Sequence, residues 1–177
     1  MIYALIIVAA IIAIPFIIAA FKSSEFRSER SVVINKPKNE VFNYVKNVKN
    51  QNDFAVWMAF DPNMKREYTG TDGTVGFVSA WESDHKKVGA GRQTITAIKE
   101  GDKVDMKIEF LKPWQNTSSA YFKTESVDGN QTKVTWGFLN DNVKYPMKVM
   151  QVVMNMDKMI GKDFEQGLQN MKKNLEK

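Results

Sequence analysis

The chain has 177 residues, with 25 Lys and Arg against 20 Asp and Glu, for a net charge of +5. That length suits one domain of ordinary size, and the positive charge is spread without Arg-rich blocks, which argues against a nucleic-acid partner. With no Cys and a single His, disulfide scaffolds, iron–sulfur clusters, zinc fingers, thiol chemistry and His-pair metal sites are excluded, so no metal and no other cofactor is expected.

No charged residue falls in the first 21 positions, so the chain joins an apolar N-terminus to a polar body. Residues 2–21 form an uncharged run that as a helix spans roughly 30 Å, the thickness of a bilayer core. A cleaved signal peptide fits less well. No Lys or Arg precedes the run, the run is too long, and Ile18-Ala19-Ala20-Phe21-Lys22 lacks a small-x-small cleavage pattern. The expectation is an uncleaved transmembrane anchor over 1–22, with Pro15 tolerated as a kink, followed by one globular domain over 23–177. Lys22, Arg27, Arg30, Lys36 and Lys38 flank the run on its C-terminal side, so the positive-inside rule places the body in the cytoplasm of a single-pass membrane protein.

In the body, 25–34 reads as a first strand, and Asn35-Lys36-Pro37 as a helix start. Val41, Phe42, Val45 and Val48 follow at helical spacing. An irregular stretch with Phe54, Trp57 and Phe60 comes next. After Asp61-Pro62-Asn63 the period changes to two. Strands are expected at 64–69, 75–82, 89–98, 104–110, 118–127 and 132–139, with Val75, Phe77, Ser79 and Trp81 sharing one face of the second of these. Val104, Met106, Ile108 and Phe110 alternate with polar residues, and Val134, Trp136 and Phe138 share one face of the last strand. Asp128-Gly129-Asn130 marks a hairpin. The end reads as one long amphipathic helix over 145–175, whose stripe runs through Met147, Met150, Met154, Asp157, Gly161, Phe164, Leu168, Met171 and Leu175. An antiparallel meander must bury one face, and this helix is the only element large enough to cover it.

Three stretches carry a resemblance to the START-like superfamily, in particular its polyketide cyclase/dehydrase-like group, also called SRPBCC. They are Arg30-Ser31-Val32-Val33-Ile34-Asn35-Lys36-Pro37 with Glu40-Val41-Phe42, then Trp81-Glu82-Ser83-Asp84 leading to Val88-Gly89-Ala90-Gly91, then Pro146-Met147-Lys148 leading to Met159-Ile160-Gly161-Lys162-Asp163-Phe164-Glu165-Gln166-Gly167-Leu168. The last two resemble a bacterial subgroup that often carries an N-terminal anchor, which implies a bacterial inner membrane. The resemblance implies an α+β helix-grip fold of START/Bet v 1 type, with a curved antiparallel sheet gripping the C-terminal helix around an apolar cavity. It does not imply one activity, since members bind lipids or hormones, cyclise polyketides or act as co-chaperones.

Few residues suggest chemistry. His85 lies between Asp84 and Lys86 in an expected turn and reads as exposed. Asp105 and Glu109 oppose the apolar face of their strand, and Glu82 ends one. Gly89-Ala90-Gly91 is too short for a phosphate loop. Asp157 interrupts the apolar stripe, either as a surface partner of a neighbouring cation or as the polar fixture of the cavity, where a buried carboxylate needs a partner. The Met residues of the last helix suit a mouldable wall or an ordinary core equally. No catalytic residue is assigned. The candidate cavity residues are Trp57, Trp81, Met106, Phe110, Trp114, Trp136, Phe138, Met150, Met154, Asp157 and Phe164, with Trp57 and Trp114 in loops at the mouth.

The expected function is a membrane-anchored, non-enzymatic domain that holds a hydrophobic or amphipathic small molecule, lipid-like, between sheet and helix. One alternative is a cyclase or hydratase in the same cavity, for which the sequence offers only Asp157 and Glu82 as acid or base. The other is a co-chaperone-like interaction module, which would tolerate a filled cavity.

Overall fold

The computed structural model describes residues 2–177, and the side chains of all of these except 2, 4–10 and 146. Helix α1 (Ile2–Phe21) leads into strand β1 (Phe26–Ile34) and helices α2 (Lys38–Lys46) and α3 (Gln51–Phe54). Strands β2 (Lys65–Thr69), β3 (Val78–Glu82), β4 (Ala90–Lys99), β5 (Lys103–Lys112), β6 (Asn116–Asp128) and β7 (Gln131–Asn140) follow, then helices α4 (Tyr145–Val153) and α5 (Met156–Leu175).

The strands form one antiparallel sheet in the order β1-β7-β6-β5-β4-β3-β2. Consecutive strands pair as hairpins except at the start. There β1 closes on β7, from Phe26 opposite Asn140 to Ile34 opposite Thr132, and α2 and α3 carry the chain across to the far edge. The central strands alternate most clearly. On β5, Val104 and Met106 are buried while Lys107 between them and Ile108 faces out; on β6, Ser118, Ala120, Phe122 and Thr124 are buried. The apolar face curls around α5, which packs chiefly on β1 and also touches β7. This is a helix-grip architecture. Its core joins Val41, Phe42 and Val45 of α2, Phe54 of α3, Phe122, Trp136 and the buried side of α5 at Phe164, Leu168 and Met171.

Two local expectations need correction. The strand expected from residue 75 begins at Val78, and Val75 is exposed rather than sharing the inward face with Phe77. Gly76, at φ 91°, turns the chain there. The single long helix over 145–175 is two helices. Met154 leaves α4 in an extended conformation (φ −123°, ψ 139°), and Asn155 restarts the chain as the N-cap of α5 by accepting the Lys158 N–H at 2.9 Å. Asn is a favoured N-cap, and Asp157 in the first turn complements the positive end of the helix dipole. The three-four stripe crosses the break without losing its spacing, so hydrophobic period alone does not mark it.

Helix α1 lies along α4. The Tyr145 hydroxyl donates to the Phe16 carbonyl at 2.9 Å, Lys22 Nζ donates to the Gln151 carbonyl at 3.1 Å, and Ala19 is fully buried. Among the described residues no helix is long and apolar enough to cross a membrane. The anchor expected over 1–22 lies in part outside the described side chains.

Candidate functional site: a two-lobed cavity under the sheet

Between the sheet and the C-terminal helices lie two neighbouring hollows that are both lined by Phe110, Phe138 and Ile160. The inner lobe, about 290 Å³, is bounded by Trp57, Trp81, Trp136 and Phe164, with Gln51, Gln93 and Ser79 among its polar lining. The outer lobe, about 530 Å³, is bounded by Phe26, Val143, Met147, Met150 and Met156, with Trp114 at its rim. The depression beside the Asp128–Gln131 turn is open and polar.

The aromatic wall of the inner lobe is built by packing that begins in the core. Trp136 stacks on Phe164 with ring centroids 4.5 Å apart and planes 4° from parallel, and Trp57 and Phe54 meet Trp136 at 5.1 and 5.5 Å. The close approach of β7 to α5 depends on Gly167, where a Cβ would stand 2.9 Å from Cζ3 of Trp136. Trp81 meets Phe110 edge-on at 6.2 Å, and its indole N–H donates to the Val88 carbonyl at 3.4 Å. Offset and edge-on aromatic contacts at these separations are favourable beyond their buried area.

Of the residues expected to line the cavity, Trp57, Trp81, Trp136 and Phe164 border the inner lobe, Trp114 and Met150 the outer, and Phe110 and Phe138 both. Three take other places. Met106 is 2% exposed and packed in the core behind the inner lobe, because its end of β5 is covered by α2. Met154 sits in the helix break, exposed, beside an open notch.

Asp157 is a surface ion-pair residue rather than a cavity group. Its carboxylate accepts from the Ser28 hydroxyl at 2.7 Å and from Arg30 Nη1 and Nη2 at 3.2 Å, while Arg30 Nε donates to Glu165 at 2.8 Å. The hydrogen bonds from Arg30 and then Ser28 hold the Asp157 carboxyl below its ordinary pKa, and the same pair raises that of Arg30. The guanidinium lies over Gly161, where any Cβ would collide with it. The break before α5 turns Asp157 towards β1, so this cluster fastens strand to helix.

Glu82, the other carboxylate considered for catalysis, is exposed and paired with Lys112 at 2.8 Å, a contact that lowers its pKa. His85 is exposed in its turn and stacks on Phe60 at 5.9 Å. Among the described residues there is no group of three or more His, Cys, Asp or Glu that could hold a metal.

The sequence reading missed Gln51 and Gln93. Gln93 shares the inward face of β4 with Gly91 and Ile95, so the alternation on that strand contained a signal. Gln51 belongs to a single-turn helix in an irregular stretch and had none. Val143, Met147, Met156 and Ile160 of the outer lobe were not among the cavity candidates, since their placement there depends on the helix break.

Comparison with known proteins agrees with this architecture. The Zhui aromatase/cyclase from Streptomyces sp. R1128 superposes with a TM-score of 0.59 at 11% identity, over 86% of this chain and 94% of that one. The Aha1 dimer structure from Colwellia psychrerythraea gives 0.56 at 16% identity, over 85% and 96%. Ara h 8.0201 gives 0.56 at 16% identity, over 85% and 97%. At such identities the likeness is one of fold. No curated protein matches the chain in sequence. The family model described as polyketide cyclase / dehydrase and lipid transport matches residues 25–176, the whole body from β1 through α5, and the chain accordingly belongs to that SRPBCC-type family.

Proposed function

We propose that this protein is a membrane-anchored binding domain that holds a hydrophobic or amphipathic, lipid-like molecule in the cavity between sheet and helices. The observation that carries the reading is the outer lobe, about 530 Å³ with Phe26, Val143, Met147, Met150 and Met156 in its wall. Small-molecule sites commonly have such volumes and such walls, with a few placed polar groups. The lipid-transport part of the family's description agrees in kind.

The anchor rests on the uncharged run at 2–21 and on the exposure of Ile11, Ile12, Ile14, Ile17, Ile18 and Phe21, an apolar surface too large for water. Because α1 lies along α4, and α4 contributes Met147 and Met150 to the outer lobe, an inserted α1 would hold that lobe next to the bilayer. Lys112 and Lys144 line the same lobe and suit an anionic lipid surface. The flanking charges favour a cytoplasmic body. Less supports the cyclase reading suggested by the Zhui relative. The carboxylate that reaches a lobe is Asp163, which is half-exposed, and no imidazole or second carboxylate joins it there among the described residues.

The test is to extract the full chain from membranes into nanodiscs and record native mass spectra. The expected result is retention in the membrane fraction after carbonate washing, and a bound adduct of lipid-like mass. A carbonate-soluble chain would overturn the anchor. A protein free of adduct that takes up no apolar probe would overturn the binding reading.

A further inference from the structure

Gln51 and Gln93 stand out in the inner lobe. They are 4% and 9% exposed, and both line a hollow whose other walls are largely aromatic. Each points its Nε2 at the same atom, the Met106 thioether sulfur, at 3.8 and 3.0 Å. A thioether is a weak acceptor. A carboxamide carries two N–H donors and an oxygen with two lone pairs, and among the described residues no protein donor meets either carboxamide oxygen. Two buried amides are thus held from behind by one soft contact, with the rest of their hydrogen-bonding capacity directed at the hollow. Ser79, two strand positions before Trp81 and paired across the sheet with Gln93, adds a hydroxyl to the same lining. Neither oxygen is sealed off as a fully buried, unpartnered atom, so each keeps access to the hollow and can meet a group placed there.

We infer that Gln51 and Gln93 form the polar end of the binding site and read a neutral hydroxyl or carbonyl group on an otherwise apolar ligand, whose chain extends past Phe110 and Phe138 into the outer lobe. This rests on the binding reading above. The ligand group must accept from, or donate to, a carboxamide, and hydroxyls and carbonyls do so. It is neutral because the lobe offers no buried charge to pair with an ionised group. The charged residues of the lobe are Lys87, exposed and held 4.9 Å over the Phe60 ring, and Asp163, half-exposed. An ionised headgroup placed against the two amides would lie buried without a counter-charge.

The test uses the full chain in nanodiscs with four probes of one chain length: 1-decanol, 2-decanone, decane and decanoate. Tryptophan fluorescence reads binding, since Trp57, Trp81 and Trp136 border the lobe. The variants are Gln51→Leu and Gln93→Leu, which keep the volume and remove the amide. Partition of each probe into the bilayer is common to all proteins, so the ratio between proteins carries the result. Decanol and decanone should each lose about tenfold in affinity relative to decane in either variant, because their polar group is then buried without its partner. Decanoate should bind the native chain more weakly than decanol. A decanol-to-decane ratio that is the same in native and variant chains overturns this inference while leaving the binding reading intact. If one variant does not fold, the other gives the same comparison, and tighter binding of decanoate than of decanol by the native chain overturns the inference without any variant. No saturable response to any of the four overturns the binding reading beneath it.

Discussion

The two ends of the sandwich between sheet and α5 are built from the same strands and differ in what fills them. At one end Ile34, Val41, Val104, Phe122, Val134 and Met171 are completely buried against one another. At the other, Phe110 and Phe138 near the ends of β5 and β7 are half-buried and face hollows, while Met150 is 42% and Trp114 72% exposed. The residue types are similar. What differs is the plug. Helix α2 caps the filled end, in contact with β5, β6 and β7. At the hollow end the helix breaks at Met154 and α4 turns aside to lie along α1. Hydrophobic alternation says which face is covered, and the connections decide whether the cover touches.

The largest expected effect lies at the filled end. Phe122→Ala should cost about 3–5 kcal/mol, since a close-packed ring leaves a cavity that neighbours cannot collapse into. Phe138→Ala, made in the adjacent pairing strand at the hollow end, should cost clearly less, because part of its surface already faces empty space. Denaturant titrations of the two variants read this directly. Equal losses would show that the hollow end is packed as tightly as the other.

That contrast also marks how far the sequence could be read. The strands, the hairpin at Asp128-Gly129-Asn130 and the covering by a C-terminal helix followed from period and turn chemistry. The inward faces of Trp81 and Trp136 and the helical stripe at Phe164 followed the same way, whereas Trp57 was expected in a loop at the mouth. The helix break did not follow, because Asn155 is one residue in a stripe whose three-four spacing continues across it. With the break unseen, Asp157 stayed open between a surface ion pair and a cavity fixture, Met154 read as lining the cavity, and of the apolar residues that α4 brings to the outer lobe only Met150 was expected there. Met106 illustrates a second limit. It alternates in step with Phe110, yet one is core and the other is wall, and the difference lies in α2, distant in sequence.

Asp157→Ala probes the seam between the two ends. It removes the acceptor of Ser28 and Arg30 and the acidic group from the first turn of α5. The carboxylate is half exposed, so screening limits the pair, and the expected loss is about 1 kcal/mol from ion pair and dipole together. Asp157→Leu should also destabilise, where a cavity-facing position would gain from the apolar side chain. A rise in melting temperature for Asp157→Leu would contradict the placement of this residue on the strand-fastening cluster.

A smaller effect is expected from acid. On the outer face of the hollow end Glu109 accepts from Arg92 at 2.7 and 3.1 Å and pairs with Lys107 at 3.0 Å. These contacts, Arg92 foremost, lower its carboxyl from 4.5 to about 2. A carboxyl depressed in the folded state contributes stability above its unfolded value, and that contribution fades as pH falls from about 4.5 towards 2. With solvent screening the contribution is at most about 1 kcal/mol. Inside β4 and β5 at this end there is a hollow rather than a core to hold the strands in register. The protection of the Arg92 and Glu109 amides, taken relative to the intrinsic exchange rate at each pH, should therefore fall in that window while that of Val104 holds. A parallel fall at Val104 would mean that the ends do not loosen separately.

The smallest stability effect should come with a large effect on binding. Met150 is 42% exposed and borders the outer lobe, so truncation to Ala removes few protein contacts. Surface substitutions of this kind usually stay within about 0.5 kcal/mol, against roughly 2–5 for a packed Met. If the outer lobe holds an apolar chain, however, Met150 touches that chain, and each buried methylene lost there is worth about 0.8 kcal/mol. Met150→Ala should therefore leave the melting curve of the empty protein nearly unchanged while weakening retention of a decyl probe severalfold. Loss of stability in the packed-Met range, with probe retention unaltered, would place Met150 among the filled-core residues and close the outer lobe. The opposite pattern separates wall from core by measurement, because a core side chain loses its contacts whether or not a ligand is present, and a wall side chain loses them only when one is.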